Sequence, residues 1–93
     1  MGADVAAAYP EARTVFDDAD RTLGFSLSTL AFAGPAEALN DTANTQPAIY
    51  ATSLALWRAL APRLDGLRQR TAYVAGHSLG EFTALAVAEA IDP

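Results

Sequence analysis

One serine of this chain stands in a setting typical of a nucleophile. It follows an apolar run and lies within the sequence Gly76-His77-Ser78-Leu79-Gly80-Glu81. A serine on a sharp turn between a strand and a helix has a strained backbone that projects its hydroxyl away from the main chain. Side chains two residues to either side would collide in such a turn, and Gly76 and Gly80 have none. The spacing therefore predicts a nucleophile elbow at Ser78.

The residues on either side of this turn predict the elements that position it. The sequence Ala72-Tyr73-Val74-Ala75 is a short apolar run, which predicts a buried parallel strand over residues 71–75. Residues 81–91 are almost entirely apolar and predict a helix buried on most of its circumference. The first turn of that helix leaves backbone N–H groups free, so the Leu79 N–H is the expected first donor of an oxyanion hole. Loss of one such donor typically costs roughly 100-fold to 1,000-fold in rate.

The chain offers few other groups for chemistry. Its single histidine is His77, and adjacent residues on a tight turn point in different directions, so we expect His77 to be packed or hydrogen bonded beneath the turn rather than to act as the base for Ser78. There is no cysteine, which excludes disulfides and a cysteine nucleophile. With one histidine and no thiolate, we expect no metal site.

Composition indicates part of a larger soluble domain. The 93 residues are 52% hydrophobic, yet they contain one predicted strand, and a parallel sheet needs several. Residues 1–93 are therefore expected to be a partial α/β core domain, truncated at both ends. A net charge of −5 argues against nucleic acid as a partner. No signal peptide or membrane-spanning run is recognisable, so we expect a cytoplasmic protein without a membrane partner.

Upstream of the elbow the pattern is helical. A short helical turn is predicted at residues 4–9, followed by a longer helix that Pro10 opens and Gly24 closes. Further turns are expected around residues 26–31 and 36–39. The longer helix carries an apolar stripe of Ala12, Val15, Phe16, Ala19 and Leu23, and a solvated acidic face of Glu11, Asp17, Asp18 and Asp20.

A long helix is predicted to be capped by Thr45 or Gln46, with Pro47 in its first turn, and to run toward Pro62. We interpret Trp57 on this helix as a core residue rather than one that stacks on a ligand. The amide of Gln46 has two open interpretations: it satisfies backbone groups, or it contacts a ligand at the helix N-terminus.

Three stretches together resemble the malonyl-CoA:acyl-carrier-protein transacylases. They are Thr42-Ala43-Asn44-Thr45-Gln46-Pro47-Ala48, Ala51-Thr52-Ser53 and Val74-Ala75-Gly76-His77-Ser78-Leu79-Gly80-Glu81. Tyr9-Pro10-Glu11-Ala12 and Phe32-Ala33-Gly34-Pro35 are also similar, so the resemblance covers essentially all 93 residues in order and spacing. It implies a hydrolase-like α/β core of mostly parallel strands, with a smaller ferredoxin-like subdomain inserted later in the chain.

The resemblance also implies a reaction and roles for residues. Ser78 would attack the thioester of malonyl-CoA, hold malonate as an ester and pass it to the phosphopantetheine thiol of acyl carrier protein, with no bound cofactor. Leu79 would supply an oxyanion donor and Gln46 would line the site, while His77 and Glu81 match motif positions without being the base. The family's catalytic histidine and carboxylate-binding arginine are expected beyond residue 93, and its oxyanion loop before Met1. Alone, residues 1–93 are then expected to be inactive.

Other functions stay open at this stage. A polyketide synthase acyltransferase domain is a close variant, and the choice between malonyl and methylmalonyl groups is undecided. An esterase or thioesterase of the α/β-hydrolase kind has the same Gly-His-Ser-Leu-Gly turn, although such enzymes place strands where this chain has about 70 largely helical residues. A remnant without catalytic activity is a third interpretation.

Overall fold

The computed structural model describes residues 1–64 and 66–92. In this part of the chain all regular structure is helical. The described residues form seven helices: α1 (Ala3–Ala8), α2 (Pro10–Leu23), α3 (Leu27–Ala33), α4 (Ala36–Leu39), α5 (Thr42–Leu60), α6 (Leu67–Arg70) and α7 (Gly80–Val87). Within the same ranges, no helix combines the length and apolar character that crossing a bilayer requires.

The helices of the first half follow the predicted boundaries. The helix α2 begins at Pro10, which fixes a helical φ where no N–H partner is needed. It ends before Gly24, whose φ of 78° is the left-handed value that glycine adopts without strain. The other three helices of this half, α1, α3 and α4, lie at or within two residues of their predicted positions.

The core lies where α2 packs across α5. Its largest fully buried side chains are Phe16, Leu27 and Leu54, one from each of α2, α3 and α5. Small side chains fill the space around them: Ala6, Ala12, Ala31, Ala48, Ala51, Ala55 and Ala59. The predicted stripe on α2 is confirmed at Ala12, Val15 and Phe16, whereas Leu23 at its end is 43% exposed.

Phe16 is the residue whose truncation should cost most stability. It is fully buried, and its ring meets the ring of Phe32 edge to face with centroids 4.8 Å apart. We expect Phe16→Ala to lower the free energy of unfolding by about 3–5 kcal/mol in urea denaturation, because it leaves a cavity in the core. The matched control is Phe25→Ala at a position 45% exposed, which should cost less than about 1 kcal/mol. Equal losses of unfolding free energy in the two variants would contradict the placement of Phe16 in the core.

Asp20 does not belong to the solvated face predicted for it. Its carboxylate accepts hydrogen bonds from the backbone N–H of Ser28 at 2.8 Å and from the Ser28 hydroxyl at 2.5 Å. Ser28 is buried in the first turn of α3, where N–H groups lack helical partners. Asp20 therefore joins the end of α2 to the start of α3.

The predicted cap of the long helix is wrong by four to five residues. The helix α5 begins at Thr42 because Asp41 caps it and accepts a hydrogen bond from the Ala43 N–H at 3.3 Å. Pro47 consequently lies inside the helix, and Gln46 lies in its second turn. Gln46 is therefore not at the helix N-terminus, where either of its two interpretations placed it.

A clamp of three side chains joins the start of α2 to the end of α5. Arg63 donates to both carboxylate oxygens of Glu11, at 2.5 and 3.3 Å, and to the Ala59 carbonyl at 2.9 Å. Its guanidinium also lies over the Tyr9 ring, 4.3 Å from the centroid. The hydrogen bonds from Arg63 lower the pKa of Glu11 below its ordinary value of 4.5, and the same contact raises the pKa of Arg63.

The lowered pKa of Glu11 predicts a pH dependence. A carboxyl whose pKa is lower in the folded state contributes stability above its unfolded pKa, and this contribution is lost as pH falls through the folded value. We therefore expect Glu11→Gln to lower Tm at pH 7, and the difference from the unchanged protein to shrink below pH 4.5. The control Glu37→Gln, at an exposed position of α4 without an ion pair in the described residues, should lower Tm at pH 7 by less than Glu11→Gln does. If the Tm difference between Glu11→Gln and the unchanged protein persisted below pH 4.5, the ion pair between Glu11 and Arg63 would not be its cause.

The predicted strand at 71–75 does not form in this structure. These residues carry no strand hydrogen bonding and are exposed, with Tyr73 93% accessible. A strand needs a neighbouring strand to pair its N–H and C=O groups, and residues 1–64 and 66–92 provide none. The helical part of the predicted α/β fold is thus present, and the parallel sheet is not.

The helix after the turn is shorter and more exposed than predicted. The helix α7 ends at Val87, where Glu89 adopts a φ of 62° and the Ala90 N–H donates back to the Leu85 carbonyl at 2.9 Å. This is a Schellman motif in which Glu89 occupies the left-handed position that glycine usually takes. Because that glycine is missing, the sequence did not indicate where the helix ends. Phe82 and Leu85 are 56% and 42% exposed, which makes the prediction of burial around most of α7 wrong for this chain.

Candidate functional site

The turn between residues 76 and 80 has the strained geometry predicted for a nucleophile elbow. Ser78 has a φ of 54°, in the left-handed region that residues with a side chain rarely adopt. Such a conformation costs on the order of 1–3 kcal/mol and persists where the surrounding structure requires it. The strain places an exposed serine directly before the N-terminus of α7.

The two glycines of the motif have different roles. A Cβ built on Gly76 would lie 2.1 Å from both the carbonyl carbon and the oxygen of Gly80, and 2.6 Å from the Glu81 nitrogen. No side chain fits there, so the predicted collision is confirmed for Gly76. A Cβ on Gly80 would meet nothing within 4 Å, so the same prediction is wrong for Gly80. The turn folds Gly80 over Gly76, and the Cβ direction of Gly80 faces open space.

Among the described residues, the backbone of the turn leaves the N–H group of Leu79 available, as it does those of residues 76–78. The N–H groups of Gly80, Glu81 and Phe82 donate to carbonyls three residues earlier, at 3.0–3.1 Å. In the described ranges, the Leu79 N–H donates to no backbone or side-chain acceptor. It lies at the N-cap of α7, beside the positive end of the helix dipole. This is the position expected for the first oxyanion donor.

An open cleft of about 600 Å³ lies between the turn and α5. The helix α5 contributes Ile49, Ser53 and Trp57, which are four residues apart and so share one face. The rest of the lining comes from residues 74–80 and from Thr83, Ala84 and Val87 of α7. Its volume is within the range of sites that bind small molecules.

Sequence reasoning missed the role of α5 in this cleft. It assigned Trp57 to the core, and the half-buried Trp57 does pack against the core, but it also lines the cleft. The spacing of Ile49, Ser53 and Trp57 is visible in the sequence. What the sequence lacked was evidence that α7 would pack against this face of α5.

His77 is not packed beneath the turn as predicted. It is exposed and lines the cleft, and its side chain forms no hydrogen bond within residues 1–64 and 66–92. The Ser78 hydroxyl also has no hydrogen-bond partner in those ranges. The described residues therefore place no base against the Ser78 hydroxyl.

The two remaining predicted site residues do not line the cleft. Gln46 is exposed and does not line the cleft, although it is one helical turn before Ile49 on the same face of α5. Glu81 is exposed in the first turn of α7, where a carboxylate stabilises the helix dipole. The structure thus brings together residues 76–80 and leaves Gln46 and Glu81 outside.

Comparison with known proteins connects this geometry to one family. The family described as "Acyl transferase domain" matches residues 1–93. The malonyl CoA-acyl carrier protein transacylase of Escherichia coli strain K12 is 45% identical over 92 residues, and that of Bacillus subtilis strain 168 is 42% identical over 91. A polyketide biosynthesis malonyl CoA-acyl carrier protein transacylase of Bacillus subtilis is 37% identical over 84 residues.

These similarities cover nearly all of this chain and a minor part of each relative. The three alignments include 99%, 98% and 90% of the chain. They include 29%, 27% and 28% of the respective relatives. The chain therefore spans less than a third of the length of these relatives. No solved structure gives a significant match.

Proposed function

Because the chain belongs to the acyl transferase domain family, we propose that the protein carrying it transfers a malonyl group from malonyl-CoA to acyl carrier protein in fatty acid biosynthesis. The observation that carries this proposal is the strained turn at Ser78, with the free Leu79 N–H beside it. The names of the relatives supply the donor and the acceptor. The donor is a thioester and the acceptor is a thiol, and transfer of an acyl group between them suits a serine ester intermediate.

The first half-reaction forms the ester. The Ser78 oxygen attacks the thioester carbonyl of malonyl-CoA and gives its proton to a general base. The carbonyl oxygen becomes an oxyanion that accepts a hydrogen bond from the Leu79 N–H. Collapse of this intermediate breaks the carbon–sulfur bond, and the CoA thiolate leaves with the proton from the base. Malonate is then held on Ser78.

The second half-reaction reverses these steps with a different thiol. The phosphopantetheine thiol of acyl carrier protein loses its proton to the same base and attacks the ester carbonyl. The Leu79 N–H stabilises the second oxyanion, and the Ser78 oxygen leaves and regains a proton. Because CoA departs before the carrier binds, the kinetics are ping-pong.

Several parts of this machinery belong to the proposal alone. The base is a histidine and the malonyl carboxylate pairs with an arginine, both supplied by chain outside residues 1–93, as is a second oxyanion donor. We assign Gln46 to the wall of the substrate site, since it continues the cleft-lining face of α5. Residues 71–75 become a strand of a hydrolase-like parallel sheet, which would cover the exposed Tyr73. The location is cytoplasmic.

A polyketide pathway is the second candidate for the acceptor. It is favoured by the relative from Bacillus subtilis whose name places it in polyketide biosynthesis. The chemistry at Ser78 is the same in both pathways. Only the identity of the carrier protein differs, so comparing transfer rates to a fatty acid carrier and a polyketide carrier distinguishes them.

Intact-mass spectrometry on the full-length protein tests the proposal. Incubation with malonyl-CoA should add one malonyl group, which acyl carrier protein then removes and Ser78→Ala prevents. Rapid release of free malonate without carrier protein would instead indicate a hydrolase. The absence of any adduct would indicate a catalytically inactive remnant.

A further inference from the structure

A second cavity lies along a different face of α5 from the one beside Ser78. It is an open cavity of about 390 Å³ between α2 and α5. The α5 residues that line it include Tyr50, Leu54 and Arg58, whereas the cleft beside Ser78 is lined by a different face of the helix. The two cavities share no lining residue.

The floor of this cavity is apolar and well packed. Val15, Ala51 and Leu54 are at most 9% exposed and belong to the core. Leu27 at the start of α3 closes one side. An occupant of the floor would therefore need an apolar body.

The rim of the cavity carries an excess of positive charge. Arg21 and Asp18 are both at the rim and pair with each other, so their charges cancel. Arg58 is exposed and forms no ion pair within the described residues. The half-buried hydroxyl of Tyr50, a hydrogen-bond donor, lies on the same wall, and burial raises its pKa. The rim thus offers a guanidinium and a hydroxyl to an anionic head group.

We propose that this cavity binds a medium-chain carboxylate, with its alkyl tail on Val15, Ala51 and Leu54 and its head group on Arg58 and Tyr50. A guanidinium pairs with a carboxylate through two parallel hydrogen bonds, which favours this head group. At the roughly 30 Å³ that a water molecule occupies in the liquid, the cavity has room for about 13 units of that size, so a ligand of about ten to twelve non-hydrogen atoms fits within it. Octanoate and decanoate have this size.

Calorimetric titration of the full-length protein with octanoate, decanoate and decanol tests the proposal. Decanoate should bind about tenfold more tightly than octanoate, because it buries two more methylene groups. Arg58→Gln should weaken decanoate binding by about tenfold or more and leave decanol binding unchanged. The matched control is Arg13→Gln, because Arg13 lies on α2 outside the cavity and pairs with Asp17.

Two further measurements locate the ligand. Methyl NMR signals of Val15 and Leu54 should shift on titration, and Ala19→Leu should weaken the binding of acid and alcohol alike by narrowing the cavity. Saturable binding is also expected in a Ser78→Ala background, so the outcome does not depend on malonyl transfer. The proposal is overturned by the absence of saturable binding, by equal affinity in the Arg58 variant, or by methyl shifts confined to residues outside the cavity.

Discussion

The Ser78→Ala variant of the full-length protein is expected to lose malonyl transfer by at least about a thousandfold, the largest effect of any change in this chain. In the proposed mechanism the variant lacks the oxygen that carries the acyl group between the two thiols, so neither half-reaction can proceed through an ester. The free Leu79 N–H remains and supports no transfer by itself. The measurement is the initial rate of malonyl transfer from malonyl-CoA to acyl carrier protein.

A matched serine separates chemistry from stability in this experiment. Ser26 is the N-cap of α3 and accepts a hydrogen bond from the Thr29 N–H at 3.3 Å, outside the cleft. Ser26→Ala should lower stability by about 1 kcal/mol and retain the transfer rate. Ser78→Ala should retain stability and lose the transfer rate. Its hydroxyl forms no hydrogen bond in the described residues, so replacing it costs little stability. A Ser78→Ala variant that keeps its rate would contradict the assignment of the nucleophile.

The Gly76→Ala variant is expected to lower kcat by roughly a hundredfold although it changes no reacting group. Its Cβ would lie 2.1 Å from the Gly80 carbonyl group, so the backbone of the turn must move. Any such movement displaces the Ser78 hydroxyl relative to the Leu79 N–H. A displacement of about 1 Å between reacting groups is enough for a loss of this size. Steady-state kinetics measure it, and circular dichroism verifies that the helices remain.

Gly80→Ala is the matched substitution for this prediction. Its Cβ would occupy open space, and alanine is a better helix former than glycine at the start of α7. We expect a loss of less than about tenfold, and a gain rather than a loss in helix stability. If Gly76→Ala and Gly80→Ala lowered kcat equally and strongly, the backbone around Gly80 in the whole protein would differ from the one described.

Local sequence determined most of the helices, because their limits depend on residues that act within one turn. Pro10 and Gly24 delimit α2 through their own backbone preferences, and both positions were predicted. The elbow was predictable for the same reason, since a strained serine and a glycine at Gly76 are required by contacts within five residues. Where two local signals competed the prediction was wrong: Asp41 begins α5, although Pro47 suggested a later start.

Tertiary structure decided how these elements meet. Asp20 was predicted to face solvent because its neighbours on α2 do, and only the packing of α3 brings Ser28 to it. The cleft beside Ser78 needs α7 to lie on the face of α5 that carries Trp57, a contact across more than 20 residues. The second cavity likewise exists only because α2 and α5 cross.

The strand predicted at residues 71–75 shows the difference between what local sequence determines and what tertiary structure determines. Residues 71–75 have the composition of a buried strand, yet a strand is stabilised by the backbone groups of its neighbours rather than by its own sequence. A helix such as α7 satisfies its hydrogen bonds within itself and forms without such a neighbour. The sequence by itself therefore determined the serine turn and the helices around it, because their hydrogen bonds and contacts are local. Only the tertiary structure decided which helix faces enclose the cavities, because those contacts join residues far apart in the chain.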